Sequence, residues 1–155
     1  MATDPVILAN TFLYLAYQKE QSLTEQKVQQ LIYSLYKQHL KETGKKLFDE
    51  PFWKTERGPE LTSVHNAFCH FWPMDLMEYA KNENGQAEIV DMRVKFPIVK
   101  EIKHIWNTYK SIPEYRLRAC LTCNKSAWTA ANSTLTDDAI KAEPMYLDRG
   151  LGLDR

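Results

Sequence analysis

Five glycines in 155 residues leave little room for flexible joints, and no internal repeat, low-complexity tract or Pro/Gly/Ser linker divides the chain. The prediction is a single domain over 1–155 with a loose tail over 144–155. Cysteine is scarce: three thiols, an odd number, make no disulfide framework and read as reduced side chains. Excess charge of either sign is missing too, with 20 Lys and Arg against 20 Asp and Glu. A neutral molecule exerts no long-range pull on phosphates, so no nucleic-acid partner is expected. No apolar run approaches the roughly 18 residues of a membrane-crossing helix, and Met1 to Pro5 carries no basic segment leading into an apolar one. A cytoplasmic protein without a membrane partner is the expectation. Gly-x-Ser-x-Gly, His-Glu-x-x-His and a Gly-rich phosphate loop are all lacking, which argues for a non-enzyme with no cofactor and no metal.

What remains is the composition of an ordinary globular domain, 44% hydrophobic and 26% charged, in a chain long enough to bury roughly 68 to 70% of its unfolded surface. Asp4 and Pro5 read as the cap and first position of a helix whose Leu8, Phe12, Leu15 and Ala16 face one way. From Thr24 the set Val28, Leu31, Ile32, Leu35, Tyr36 and Leu40 keeps three-and-four spacing until Gly44. The opposite face, with Lys27, Gln29, Gln30, Lys37, Gln38 and Lys41, reads as solvated. Pro51 and Gly58-Pro59 make 47–56 extended and end it in a turn. Helical segments are expected over 61–71 and 74–81, and a turn at 82–85. Val90, Met92, Val94 and Phe96 alternate with polar residues, the period of a half-buried strand, whose natural partner would be 52–55. Further helices are expected from Pro97 through Tyr109, from Pro113 to Cys120, over 126–132, and from Thr136 to Lys141. The fold class is mainly α: a compact bundle of about six short-to-medium helices with a small antiparallel β-hairpin.

Two groups invite a chemical reading. Cys120 and Cys123 have the spacing of a redox pair or half a zinc site, yet no βαβ unit or second pair accompanies them. His65 and Cys69 share a helical face beside His70, with no acid next to them in sequence; joined in space to Cys120 and Cys123 they would make a zinc- or thiol-dependent site, the enzyme alternative. The aromatic supply is more informative. Six Phe, four Trp and eight Tyr are many for one small core, and Trp, Tyr and Arg dominate binding hot spots because they desolvate large area at low entropy cost.

Several strings together resemble the Panacea domain, the family of SocA-like antitoxins and phage-associated proteins, over nearly the whole chain. They are Ala9 to Leu13, Leu23-Thr24 with Lys27 to Tyr33, Gly44 to Glu50, Trp53 with Arg57-Gly58-Pro59, Ile105 to Tyr109, and Leu117 to Trp128. The family's Leu-Thr-His is here Leu121-Thr122-Cys123, so Cys123 stands where a histidine is usual. The resemblance implies a protein partner: an antitoxin of a toxin-antitoxin system that neutralises a toxin by direct binding. The alternative is a phage or mobile-element regulator or protease adaptor, including one that inhibits a host defence protein. Neither requires catalysis.

The contact surface expected for that partner is Trp53, Arg57, Gly58 and Pro59, a loop on a helical scaffold with Arg57 able to make bidentate contacts. A second candidate is the polar helix face with Lys27, Gln30 and Lys37.

Overall fold

The computed structural model describes residues 3–145. Among them are seven α-helices, one 3-10 turn and one two-stranded hairpin, the mainly α fold with a small β-hairpin that was expected. The tail expected to be loose lies, from residue 146 on, outside the described residues.

Helix α1 (Pro5–Gln18) starts as its sequence dictates: Asp4 Oδ1 accepts from the Val6 amide at 2.7 Å and Pro5 fills the first turn. Helix α2 (Glu25–Thr43) is capped by Thr24, whose Oγ1 accepts from the Lys27 amide at 3.2 Å. It closes on Gly44, which adopts φ 73°, a left-handed conformation that costs a side-chain-bearing residue about 1 to 2 kcal/mol. The remaining helices are α3 (Thr62–Phe68), continued by a 3-10 turn at Cys69–Phe71, α4 (Pro97–Tyr109), α5 (Glu114–Leu121), α6 (Ala127–Ala130) and α7 (Asp137–Ala142).

Helix α2 is the axis of the molecule: α1, α3, α4, α5, α7 and the hairpin all pack against it. Most of the polar face expected to be solvated is therefore buried, with Gln38 and Lys41 half-buried. Lys27, Gln29, Gln30 and Lys37 are 7%, 4%, 3% and 0% exposed. Each hydrogen-bonds a distant partner, as buried polar groups generally do. Lys27 donates to the Ile112 carbonyl, Gln30 Nε2 to the Glu114 carbonyl at 2.9 Å, and Lys37 to Glu143. Gln29 bonds both backbone groups of Leu61, at 3.1 and 2.9 Å. Tyr33, Tyr36, Phe48 and Phe52 stack nearby, with ring centroids 4.9 to 5.8 Å apart.

Two expected elements are replaced by irregular chain. Residues 90–96 form no strand. Val90, Met92 and Val94 are half-buried between exposed neighbours, so the alternation is real, but the Val90 amide donates to Thr11 Oγ1 of α1 at 2.9 Å instead of a ladder carbonyl. Residues 74–81 form no helix. There the Leu76 amide donates to Leu23 O at 2.8 Å, and Ala80 is held at both its amide and its carbonyl by Asn10, each at 2.9 Å. Leu76, Ala80 and Val90 are thus held by α1 and the segment leading into α2.

The hairpin pairs 53–55 with its immediate neighbour, not with 90–96. Strand β1 (Trp53–Thr55) runs antiparallel to β2 (Gly58–Glu60), with Trp53 opposite Glu60 and Thr55 opposite Gly58.

Candidate functional site

The hairpin is braced from three sides, which fixes the residues it displays. Phe52, 1% exposed, anchors its first strand in the aromatic cluster. Segment 133–135 flanks that strand: the Lys54 amide donates to Ser133 O at 2.8 Å and the Leu135 amide to Phe52 O at 2.9 Å. From α6, Trp128 Nε1 donates to Thr55 O at 2.7 Å, and the Lys54 ammonium sits 4.6 Å from the Trp128 ring while donating to Ala131 O at 3.0 Å. Gly58, at φ 114°, permits the tight turn, and Thr55 Oγ1 closes it by donating to Gly58 O at 2.9 Å.

On this frame Trp53 is 44% exposed, an indole left outside the core. Arg57, 35% exposed at its side chain, donates from Nε and Nη2 to Glu60 Oε2 at 3.0 and 2.8 Å and lies 5.1 Å from the Trp72 ring. Its guanidinium is thus oriented by a carboxylate and an aromatic face before any partner arrives. Gly58 and Pro59 are buried beneath the turn. They shape the loop and do not present themselves.

The second candidate surface is corrected by burial. Lys27, Gln30 and Lys37 are enclosed within the fold and already bonded to protein groups, so they cannot line an accessible contact face. Arg57, Pro59 and Gln30 do meet, around a cavity of about 10 Å³ also bordered by Glu25, Glu60 and Trp72. That is room for about one water or ion.

None of the three cysteines forms a disulfide. Cys120 and Cys123 lie at the end of α5 and in the turn before α6, and Cys69 is exposed in the 3-10 turn. Among the described residues, the group of His, Cys, Asp and Glu side chains close enough to hold an ion is a different one: Glu25, Glu60 and His65, with one ligand atom from each within 4.8 Å of the others. The acid that His65 lacks in sequence comes from the first residue of α2. Its Nδ1 is 2.7 Å from Glu25 Oε2 and 4.0 Å from Glu60 Oε1. Burial raises the Glu25 carboxyl, while His65 and Gln29 pull it back down by hydrogen bonding to its ionised form. Glu25, Glu60 and Trp72 were not legible as site residues, because each reaches the cavity from a separate part of the chain. Arg118 Nη2 donates to Gln26 Oε1 at 3.2 Å.

Matches to this chain were found neither among protein-family models, nor among curated proteins, nor among solved structures. No helix of the described residues is long and apolar enough to cross a membrane.

Proposed function

We propose that the chain is a non-enzymatic protein-binding domain that acts as the antitoxin of a toxin-antitoxin system, covering its toxin with the outer side of the β1–β2 hairpin. The observation that carries this reading is Trp53, 44% exposed on a strand pinned by segment 133–135 and by Trp128. A large aromatic side chain held outside the core on a rigid frame loses little conformational entropy when it is covered, the economy found at interface hot spots. Arg57 adds a preformed cation a few residues away. The Panacea resemblance supplies the class of partner, a toxic protein. The cavity beside Arg57, at about 10 Å³, is far below the size of ligand pockets, typically about 300 Å³ or more.

The test is co-expression with the toxic product of the adjacent gene. Growth rescue together with a stoichiometric complex supports the antitoxin reading, provided that Trp53→Ala, still folded, loses both. Loss of the client that depends on a host protease would move the chain to the adaptor reading. Rescue that survives Trp53→Ala and Arg57→Ala together would remove the hairpin as the contact surface.

A further inference from the structure

We propose that Glu25, Glu60 and His65 form a binding site for one divalent transition-metal ion, with zinc the best fit, at the junction of α2, β2 and α3. The site shares Glu60 with the Arg57 ion pair, but the metal proposal does not rest on the protein-binding reading.

Three elements deliver the ligands. Glu25 is the first residue of α2, fixed by the Thr24 cap; Glu60 ends β2; His65 lies in α3, two residues after Ser63, whose amide is held by Glu50 at 2.9 Å. Around a tetrahedral zinc ion with bonds of about 2.0 to 2.1 Å, neighbouring ligand atoms are about 3.3 Å apart. The separations of His65 Nδ1 from Glu25 Oε2, 2.7 Å, and from Glu60 Oε1, 4.0 Å, bracket that value.

A second observation sets this group apart from an ordinary acidic cluster. Glu25 is 1% exposed, and its Oε1 is buried with no hydrogen-bond partner. A carboxylate oxygen withdrawn from water without a donor costs free energy, and a cation removes that cost. Gln30, 3% exposed, has a second such acceptor, Oε1, on the same small cavity. It can take a hydrogen bond from a water completing the metal's coordination. Both of these atoms are oxygen acceptors, groups that a positive centre or its water satisfies. Arg57 engages Glu60 Oε2 and leaves Oε1 to the site, while Gln29 Nε2 donates a long hydrogen bond of 3.4 Å to Glu25 Oε2 and leaves Oε1 without a donor. One imidazole with two carboxylates is a mixed nitrogen and oxygen set that suits zinc ahead of calcium or magnesium, which favour oxygen alone. His65, 33% exposed at its side chain, leaves a way in.

The experiment is calorimetric titration of zinc chloride into the full, untagged, chelator-treated protein, with cobalt(II) spectra as a second measurement. One ion per chain is expected. His65→Gln and Glu60→Gln should each weaken it by about tenfold or more, and the Cys69→Ser, Cys120→Ser, Cys123→Ser triple variant should leave it unchanged. The cobalt form should show ligand-field bands without thiolate charge transfer, and zinc should raise the melting temperature of the wild type but not of His65→Gln. Circular dichroism confirms that each variant is folded. No saturable uptake up to about 1 mM zinc, or uptake indifferent to His65 and Glu60, overturns the proposal. So does binding that disappears in the cysteine variant.

Discussion

Lys37 in the middle of α2 donates to the Glu143 carboxylate just past α7, where the two side chains are 0% and 4% exposed. Glu143 also accepts from Tyr33 Oη at 3.2 Å and from the Ala127 amide at 2.8 Å. One carboxylate thus ties α2, α6 and the end of α7 together. Removing it takes the carboxylate away from a buried ammonium, and breaking a buried ion pair in this way costs about 3 to 5 kcal/mol. Glu143→Ala should lower the urea midpoint accordingly, and a change below about 1 kcal/mol would show that the pair does not hold α7.

The same burial makes stability depend on alkaline pH. Desolvation lowers Lys37 to about 8, against the pull of Glu143, and lowers Lys27 to about 8, against Glu114. The unfolded chain keeps each lysine near about 10.4. Between those values the unfolded state holds protons that the folded state has released, so stability rises with pH by up to about 1.4 kcal/mol per unit for each lysine. Tyr36 acts in the opposite sense: burial and Asp137 raise its hydroxyl, so its contribution is lost as pH climbs beyond the ordinary tyrosine value. Urea unfolding at pH 7.5, 8.5 and 9.5 should show rising midpoints, with a shallower rise in Lys37→Met. A flat wild-type profile would contradict the assignment.

How these lysines were misread marks the limit of sequence here. Helices α1, α2 and α4 were legible because capping residues and apolar spacing are local. Asp4, Thr24, Pro97 and Gly44 act within a turn of themselves. The polar face of α2 looked solvated because nothing near Lys27 or Lys37 announces a carbonyl at Ile112 or a carboxylate at Glu143, 85 and 106 residues away. Alternation correctly reported Val90, Met92 and Val94 turning inward but failed at Phe96, which is 65% exposed, and gave no sign that a helix supplies the Val90 hydrogen bond. Gly58-Pro59 announced a turn nearby, but the turn itself is Glu56-Arg57, and Gly58 and Pro59 belong to β2, the pairing partner that was not readable. For the site, His65 drew notice by residue type, while Glu25 and Glu60 joined it only through the packing of α2 on the hairpin and α3.

Asn10 gives a test of that substitution of helix for strand. Buried at 1% exposure, it donates from Nδ2 to Ala80 O and Glu88 O at 2.9 and 3.1 Å and accepts from the Ala80 amide at 2.9 Å. Asn10→Ala leaves the Ala80 groups without partners, so a loss of about 2 to 3 kcal/mol is expected. Amide exchange should accelerate most at Ala80, with Val90, held by the neighbouring Thr11, less affected. Uniform acceleration across all helices would mean that Asn10 supports the global fold and not this segment.

Gly44 isolates a purely backbone effect. A Cβ there would meet nothing within 4 Å, so only φ 73° opposes a larger residue. Gly44→Ala should cost about 1 kcal/mol, and Gly44→Asn less, because asparagine tolerates the left-handed region. Equal losses in both variants would point to a contact at this position instead.

For the proposed interface, the prediction is a split between binding and folding. Arg57 is partly exposed and its pair with Glu60 is a short-range one, of a kind that contributes about 0 to 1 kcal/mol to stability. At a partner's surface the same guanidinium, already oriented by Glu60 and Trp72, can add hydrogen bonds at little entropic cost. Arg57→Ala should therefore weaken the complex by about 1 to 3 kcal/mol while moving the melting temperature little. Trp53→Ala should behave likewise, with the larger effect on binding because the indole removes more apolar area from water. The dissociation constant and the thermal midpoint, measured on the same preparations, separate the two roles. If the midpoint falls in step with affinity, Arg57 is a strut of the hairpin, and the contact surface must be sought elsewhere on the molecule.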